Sequence, residues 1–148
     1  MSILAENRRA RFDYAVIDTL QAGIVLNGQE TKSALAGRAN IGASFVTVHN
    51  NELWLTNAAI PPWQVKNAPP DYEETRSRKL LCHKKEIASL IGKIKAEGLT
   101  VIVLRLYTQG RYVKAELGIV RSRKKGDKRE LLKKREDERD VRQALKNR

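Results

Sequence analysis

Bond-making chemistry needs convergent nucleophiles, bases or metal ligands, and this sequence offers few. His49 and His83 stand apart, Cys82 is the one cysteine, and neither an H-x-x-x-H nor a C-x-x-C spacing occurs, so the usual donor sets for zinc are missing. Acidic residues are scattered, with no evident pair for acid–base work, and no G-x-x-x-x-G-K loop is present to cradle a phosphate. The histidines read as surface or partly buried polar residues. Cys82, in an apolar stretch, reads as a small buried hydrophobe rather than a nucleophile. The expectation is a protein that is not an enzyme and needs no cofactor or metal.

What the chain carries instead is cations in clusters. Asn7-Arg8-Arg9-Ala10-Arg11 is the first, Arg76-Ser77-Arg78-Lys79 the second, and Arg121-Ser122-Arg123-Lys124-Lys125-Gly126-Asp127-Lys128-Arg129 the third and densest. Guanidinium forks suit bidentate phosphate contacts, and lysines act as point charges. With 29 Lys+Arg against 17 Asp+Glu the net charge is +12, enough to attract and steer polyanions. Residues 121–148 hold 13 of the Lys/Arg and 6 of the Asp/Glu, a surplus of +7. The last fifth of the chain therefore carries more than half of the net charge. Nucleic acid is the first candidate partner and an anionic membrane surface the second. Trp54 and Trp63 are candidates for base stacking, although Trp54 alternates with Leu53 and Leu55 and fits a core equally well. A lone cysteine excludes an internal disulfide and fits a reducing, cytoplasmic setting, and no apolar run approaches the ~20 residues that span a bilayer.

The elements that must hold these cations read as strands with few helices. Phe12 to Leu26 roughly alternates apolar and polar residues, as strands with one buried face do, and Ala22-Gly23 suggests a bulge or barrel bend. Asn27-Gly28 reads as a turn, followed by a short helix from Glu30 to Ala36 that Gly37 stops. Ser44–His49 and Glu52–Thr56 form a hairpin about Asn50-Asn51. A proline-rich loop follows, and Lys84–Glu97 is a helix with Ile87, Leu90, Ile91 and Ile94 on one face. Leu99–Tyr107 and Tyr112–Val120 make a second hairpin about Gly110. About six strands with one substantial inserted helix fit a small closed or half-closed β-barrel of the oligonucleotide-binding type. Residues 1–120 are the expected RNA-binding barrel domain. Residues 121–148, with no apolar residue between Lys133 and Asp140, are an expected basic tail, disordered when free and helical on a polyanion.

These residues also carry a family likeness. Asn7 to Tyr14, Ala22 to Gly28, Glu30 to Ser33, Ala36 to Asn40, Thr75 to Leu81 and Asp127 to Glu130 occur in order along nearly the whole chain. Together they resemble the SsrA-binding protein family, also called small protein B. The resemblance implies a mainly β fold with added helices, an oligonucleotide-binding-type β-barrel with a flexible basic C-terminal tail. It implies binding to the tRNA-like part of transfer-messenger RNA and its delivery to stalled bacterial ribosomes for trans-translation. There the tail becomes helical in the vacant mRNA path, against ribosomal RNA of the decoding region. The expected protein is a monomer with no membrane partner.

Carried over by position, the implied RNA-binding set begins with Asn7, Arg8, Arg9 and Arg11 at the entry and Gln21, Ala22 and Gly23 at the bend. It continues with Glu30, Lys32 and Ser33 on the short helix, Arg38 and Asn40 after it, and Arg76, Arg78, Lys79, Leu80 and Leu81. The implied ribosome-binding tail comprises Arg121, Arg123, Lys124, Lys125, Asp127, Lys128 and Arg129, then Lys133, Lys134 and Arg135. The chain departs from the family pattern at Gln21, where an acid is usual, at Ser122, where glycine is usual, and at Gly126, where an aromatic or histidine is usual.

Overall fold

The computed structural model describes residues 1–122 and 125–146, and in the last helix the side chains of residues 132–143 and 145. In chain order, strand β1 (Ile3–Glu6) leads through a single helical turn, α1 (Ala10–Asp13), into the long strand β2 (Tyr14–Ile24). Helix α2 (Gly28–Leu35) precedes the hairpin β3 (Phe45–His49) and β4 (Glu52–Thr56). The Asn50-Asn51 turn holds both asparagines at positive φ, 52° and 59°, the conformation that two-residue hairpin turns require. A proline-rich loop with one 3-10 turn at Val65–Asn67 returns to strand β5 (Arg78–Leu81). Helix α3 (Lys84–Glu97), hairpin β6 (Thr100–Gln109) and β7 (Tyr112–Ser122), and helix α4 (Lys125–Lys146) complete the chain.

All seven strands join one antiparallel sheet in the order β1-β6-β7-β2-β5-β4-β3. The sheet rolls so that its edge strand β3 comes against β6, but no strand pairing closes it. The barrel expectation therefore holds in its half-closed form. The apolar run Val101 to Leu104 is buried on both faces of β6. On one side Val101, Val103 and Leu106 join the main core of Leu53, Leu55, Leu80, Leu90 and Leu117, against which Ile87 and Ile94 of α3 pack. On the other, Ile102 and Leu104 meet Ala10, Val120, Tyr14 and Val16. Two-sided burial explains a continuous apolar run where one-sided strands alternate.

Two local expectations are corrected. The interruption in β2 lies between Val16 and Asp18, where Ile17 is the extra residue, and not at Ala22-Gly23. Gly23 instead marks a change of neighbours, pairing with Lys114 of β7 and Leu81 of β5. A Cβ there would sit 3.4 Å from Leu81 Cβ. Asn27-Gly28 is a helix start rather than a turn: Asn27 Oδ1 accepts from the Glu30 N–H at 2.9 Å, while the Asn27 N–H donates to Glu30 Oε1 at 3.0 Å. This reciprocal cap satisfies two orphan donors of the first turn.

Candidate nucleic-acid interface

The cap on α2 is also the root of a buried ionic knot. Glu30 and Arg78 are both fully buried. Arg78 Nε donates to Glu30 Oε2 at 2.7 Å, and its two terminal nitrogens donate to the carbonyls of Ala58 at 2.6 Å and Glu74 at 2.9 Å. Arg76 adds a second fork, through Nε to Glu30 Oε2 at 2.9 Å and through a terminal nitrogen to Oε1. Burial raises the Glu30 pKa, but hydrogen bonds from Arg76, the Asn27 N–H and Arg78, with the Arg78 charge, outweigh it and hold the carboxyl below its ordinary value. Five members of the expected RNA-binding set lie inside the protein: Glu30, Ser33 and Arg78, with Ala22 and Leu80 in the core, present no more than 1% of their surface. Arg76 is spent mainly on Glu30.

Several of the exposed members fall at two poles of the β2–β7 ladder. Tyr14 pairs with Ser122 and Ala15 with Arg121, which sets the first basic cluster beside the root of the third, and α1 touches α4. Arg8, Arg9, Arg11 and Arg121 are exposed here, and Asn7 is half-buried. Arg9 lies 3.8 Å from Asp13 and 5.3 Å over the Phe12 ring. A groove of about 640 Å³ runs between β1 and residues 37–41 and brings Arg8 within one cleft with Arg38 and Asn40. Arg38 is held by Trp63: its guanidinium lies 4.7 Å over the indole and donates to the Trp63 carbonyl at 3.2 Å. Trp63 is thus a half-buried plug that orients a cation. Lys32 stands exposed on α2.

The second pole is where β2 passes from β7 to β5. Gln21, Gly23, Lys79 and Leu81 meet there, beside a groove of about 710 Å³ lined by Glu52, Lys79, Leu81, Lys84, Ile87 and Ile91. Lys79 pairs with Glu52 at 3.1 Å, with both side chains about two-fifths exposed. The Tyr107 hydroxyl donates to Gln21 Oε1. Burial, with the Glu116 charge, pushes the Tyr107 pKa up, which keeps it a donor. Cys82 lines the same groove, its thiol pushed up to about 11 by burial and by Glu86. Cys82 is half-buried rather than buried, and its raised pKa fits the reading of it as an unreactive thiol. Trp54 points outward from β4 opposite Lys79 and Thr47, and its Nε1 is buried with no hydrogen-bond partner among the described residues. Sequence reasoning missed Lys84 and Lys114 at this pole, because Lys84-Lys85 read as the solvent face of a helix start, Lys114 has no neighbouring cation, and only the groove and the Gly23–Lys114 pairing bring them to it.

The likeness to known proteins covers the chain from end to end. The family model described as SmpB protein matches residues 4–147. The SsrA-binding protein of Thermosynechococcus vestitus is 43% identical over 148 residues, covering 100% of this chain and 97% of that protein. That of Chloroflexus aggregans is 44% identical over 148 residues, covering 100% and 94%. This chain belongs to the SmpB protein family. A chain in the solved structure "tmRNA-SmpB: a journey to the center of the bacterial ribosome" agrees with a TM-score of 0.66 at 42% identity, over 81% of this chain and 84% of that one.

For a SmpB-family chain the tail is the third component. Helix α4 leaves the first pole, and its described side chains, residues 132–143 and 145, are exposed, Lys133, Lys134 and Arg135 among them. Arg123 and Lys124 lie outside the described residues, and for Lys125, Asp127, Lys128 and Arg129 the backbone alone is described. Among the described residues, no helix is long and apolar enough to cross a membrane.

Proposed function

We propose that this protein binds the tRNA-like part of transfer-messenger RNA and delivers it to stalled bacterial ribosomes for trans-translation, in which incomplete peptides are tagged and the ribosome is rescued. The observation that carries the reading is similarity to SsrA-binding proteins at 43–44% identity over all 148 residues, tail included. The protein does this as a cytoplasmic monomer, makes and breaks no covalent bond, and uses no cofactor. Its working parts are cations on a rigid scaffold. Arg8, Arg9, Lys32, Arg38 and Lys79 neutralise phosphates, while Gly23 allows close approach of the RNA at the second pole.

Helix α4, which follows β7, acts as a separate basic arm. A helix whose described side chains are all exposed gains little from burial, so the arm is mobile when free and orders fully on ribosomal RNA of the decoding region and message path. Recovering the protein from bacterial lysate and sequencing the RNA that accompanies it tests the function. Transfer-messenger RNA should dominate, and its absence overturns the proposal. In competition at moderate salt, a structured tRNA-like RNA should displace unstructured RNA of equal length; equal affinities would reduce the protein to a general RNA binder.

A further inference from the structure

Arg38 and Trp63 belong to two segments that an isolated antiparallel bridge ties together. The Asn40 N–H donates to the Ala59 carbonyl at 2.8 Å, and the Ala59 N–H to the Asn40 carbonyl at 2.9 Å. The loop that carries Trp63 is anchored on both sides of it. The Gln64 N–H donates to Gln29 Oε1 of α2 at 3.1 Å, the Tyr72 hydroxyl donates to the Ile60 carbonyl at 2.7 Å, and Pro61-Pro62 fixes two φ angles between these points. The indole is therefore a fixed support. Arg38 lies on it at 4.7 Å and gives one N–H to the Trp63 carbonyl, yet the residue as a whole is exposed. Its second face and its other N–H donors are left to solvent. Among the described residues, neither Arg38 nor Arg8 is paired with a carboxylate, whereas Arg9, Arg76, Arg78, Lys79 and Arg105 are. An exposed arginine ordinarily loses rotamer freedom when a ligand orders it, and that loss is subtracted from affinity. Arg38 is ordered already by the fold.

We propose that Trp63 is a positioning residue for RNA binding: it holds Arg38 so that the free edge of the guanidinium meets a phosphate lying in the groove beside Arg8, and Trp63 itself touches no RNA. The inference rests on the proposed binding of transfer-messenger RNA and assigns a role in it to an uncharged residue of the proline-rich loop. Phosphate is the ligand because two guanidinium forks without acidic partners share one groove, and such forks match phosphate oxygens. Glu6 lines the same groove and is paired with neither arginine. Base stacking on Trp63, which the sequence suggests, is disfavoured by the structure. One indole face is covered by the guanidinium, and the ring is half-buried.

A double-mutant cycle on the full chain, read as affinity for transfer-messenger RNA over a range of salt, tests this. Arg38→Ala should weaken binding and flatten the slope of log affinity against log salt by up to about 0.9, the value of one phosphate contact on a duplex. Trp63→Ala changes no charge, yet it should weaken binding by about three- to tenfold, as expected when one long side chain must be ordered on binding. The two losses should not add: Arg38→Ala/Trp63→Ala should bind within about twofold of Arg38→Ala. Trp63→Phe keeps an aromatic face for the cation and should recover at least half of the loss on a logarithmic scale. Arg38→Lys, an exposed substitution that leaves the fold alone, keeps the charge and the salt slope but loses the flat stack, so its affinity should fall as that of Trp63→Ala does. A further loss in the double variant would place RNA on Trp63 itself and overturn the proposal. So would parental affinity in Arg38→Lys, an unchanged salt slope in Arg38→Ala, or a Trp63→Ala protein that melts earlier but binds as the parent does when folded. Each of these outcomes leaves the function intact, whereas failure of the parent chain to bind transfer-messenger RNA would overturn both.

Discussion

Glu30→Gln separates a framing residue from an RNA-contacting one. The substitution keeps the side-chain size and an acceptor for the Asn27 N–H, but it removes the negative charge between Arg76 and Arg78. Arg78 is fully buried, and a buried charge left without its counterion costs about 3–5 kcal/mol. The Ala58 and Glu74 carbonyls still accept from its guanidinium, which places the loss at the lower end, about 3 kcal/mol. For a chain of this size that lowers Tm by roughly 6–12 °C and takes a large fraction of a typical stability of about 5–15 kcal/mol. Urea unfolding at pH 7 measures it directly. The pH dependence supplies an independent sign. The folded carboxyl titrates below its ordinary value near 4.5, so its stabilisation is complete above that value and fades as pH falls through the folded pKa. The gap between parent and variant should therefore be constant above about pH 5.5 and narrow below about 4.5. RNA affinity per folded molecule should stay within twofold at low temperature. A stability loss under about 1 kcal/mol, or a tenfold fall in RNA affinity with unchanged stability, would refute the framing role.

Four further outcomes follow from the same geometry. Arg8→Ala and Lys79→Ala lie at opposite poles, so each should flatten the salt dependence of RNA binding by up to about 0.9, and the double variant should be additive within about 0.5 kcal/mol; titrations against salt check both. Gly118→Ala should destabilise by about 1–3 kcal/mol in thermal unfolding, because a Cβ there would lie 3.0 Å from Leu104 Cγ and 3.1 Å from both its methyl carbons. Cys82, with its pKa pushed up to about 11, should alkylate with iodoacetamide at pH 7.5 at least tenfold more slowly in the folded protein than in urea. Deleting residues 121–148 should abolish peptide tagging in a reconstituted translation system yet retain most of the affinity for transfer-messenger RNA measured by gel shift.

Where the sequence was legible, the signal was local. Ile87, Leu90 and Ile94 repeat at helical spacing, and α3 runs over Lys84–Glu97 as their period predicts, ended by Gly98 in the left-handed region at φ 64°. The two hairpins announce themselves through Asn50-Asn51 and Gly110, all at positive φ. The missed elements are those whose reasons lie far away in the chain. Arg78-Lys79-Leu80-Leu81 reads as a basic cluster with a short apolar end, because nothing near it reveals that Glu30, 48 residues earlier, neutralises Arg78 inside the core. Once that charge is paired, β5 alternates in the ordinary way, with Arg78 and Leu80 inward and Lys79 and Leu81 outward. β1 is four residues long, too short to show a period, and exists by pairing with β6 about a hundred residues later. The site was legible in composition and illegible in arrangement. A window of sequence treats Arg76, Arg78 and Arg8 alike, and only burial and the distant partner Glu30 distinguish them.

The arrangement also explains how one small scaffold can serve two RNA surfaces. Strand β7 carries Lys114 beside Gly23 at one pole and Arg121 at the other, with α4 following. Seven residues of extended chain at about 3.4 Å each hold these points roughly 24 Å apart. That distance is fixed by the stiffest part of the molecule, since residues 117–120 of β7 are all buried and paired on both sides. The poles are more than two Debye lengths apart at physiological salt, where the screening length is about 8 Å. Each therefore acts on its own stretch of phosphates and neither weakens the other. A flexible linker between two basic patches would let their spacing vary with every encounter. A buried strand fixes it, which makes the rigidity of the sheet, rather than the number of its cations, the property that decides which phosphates the two poles can reach together.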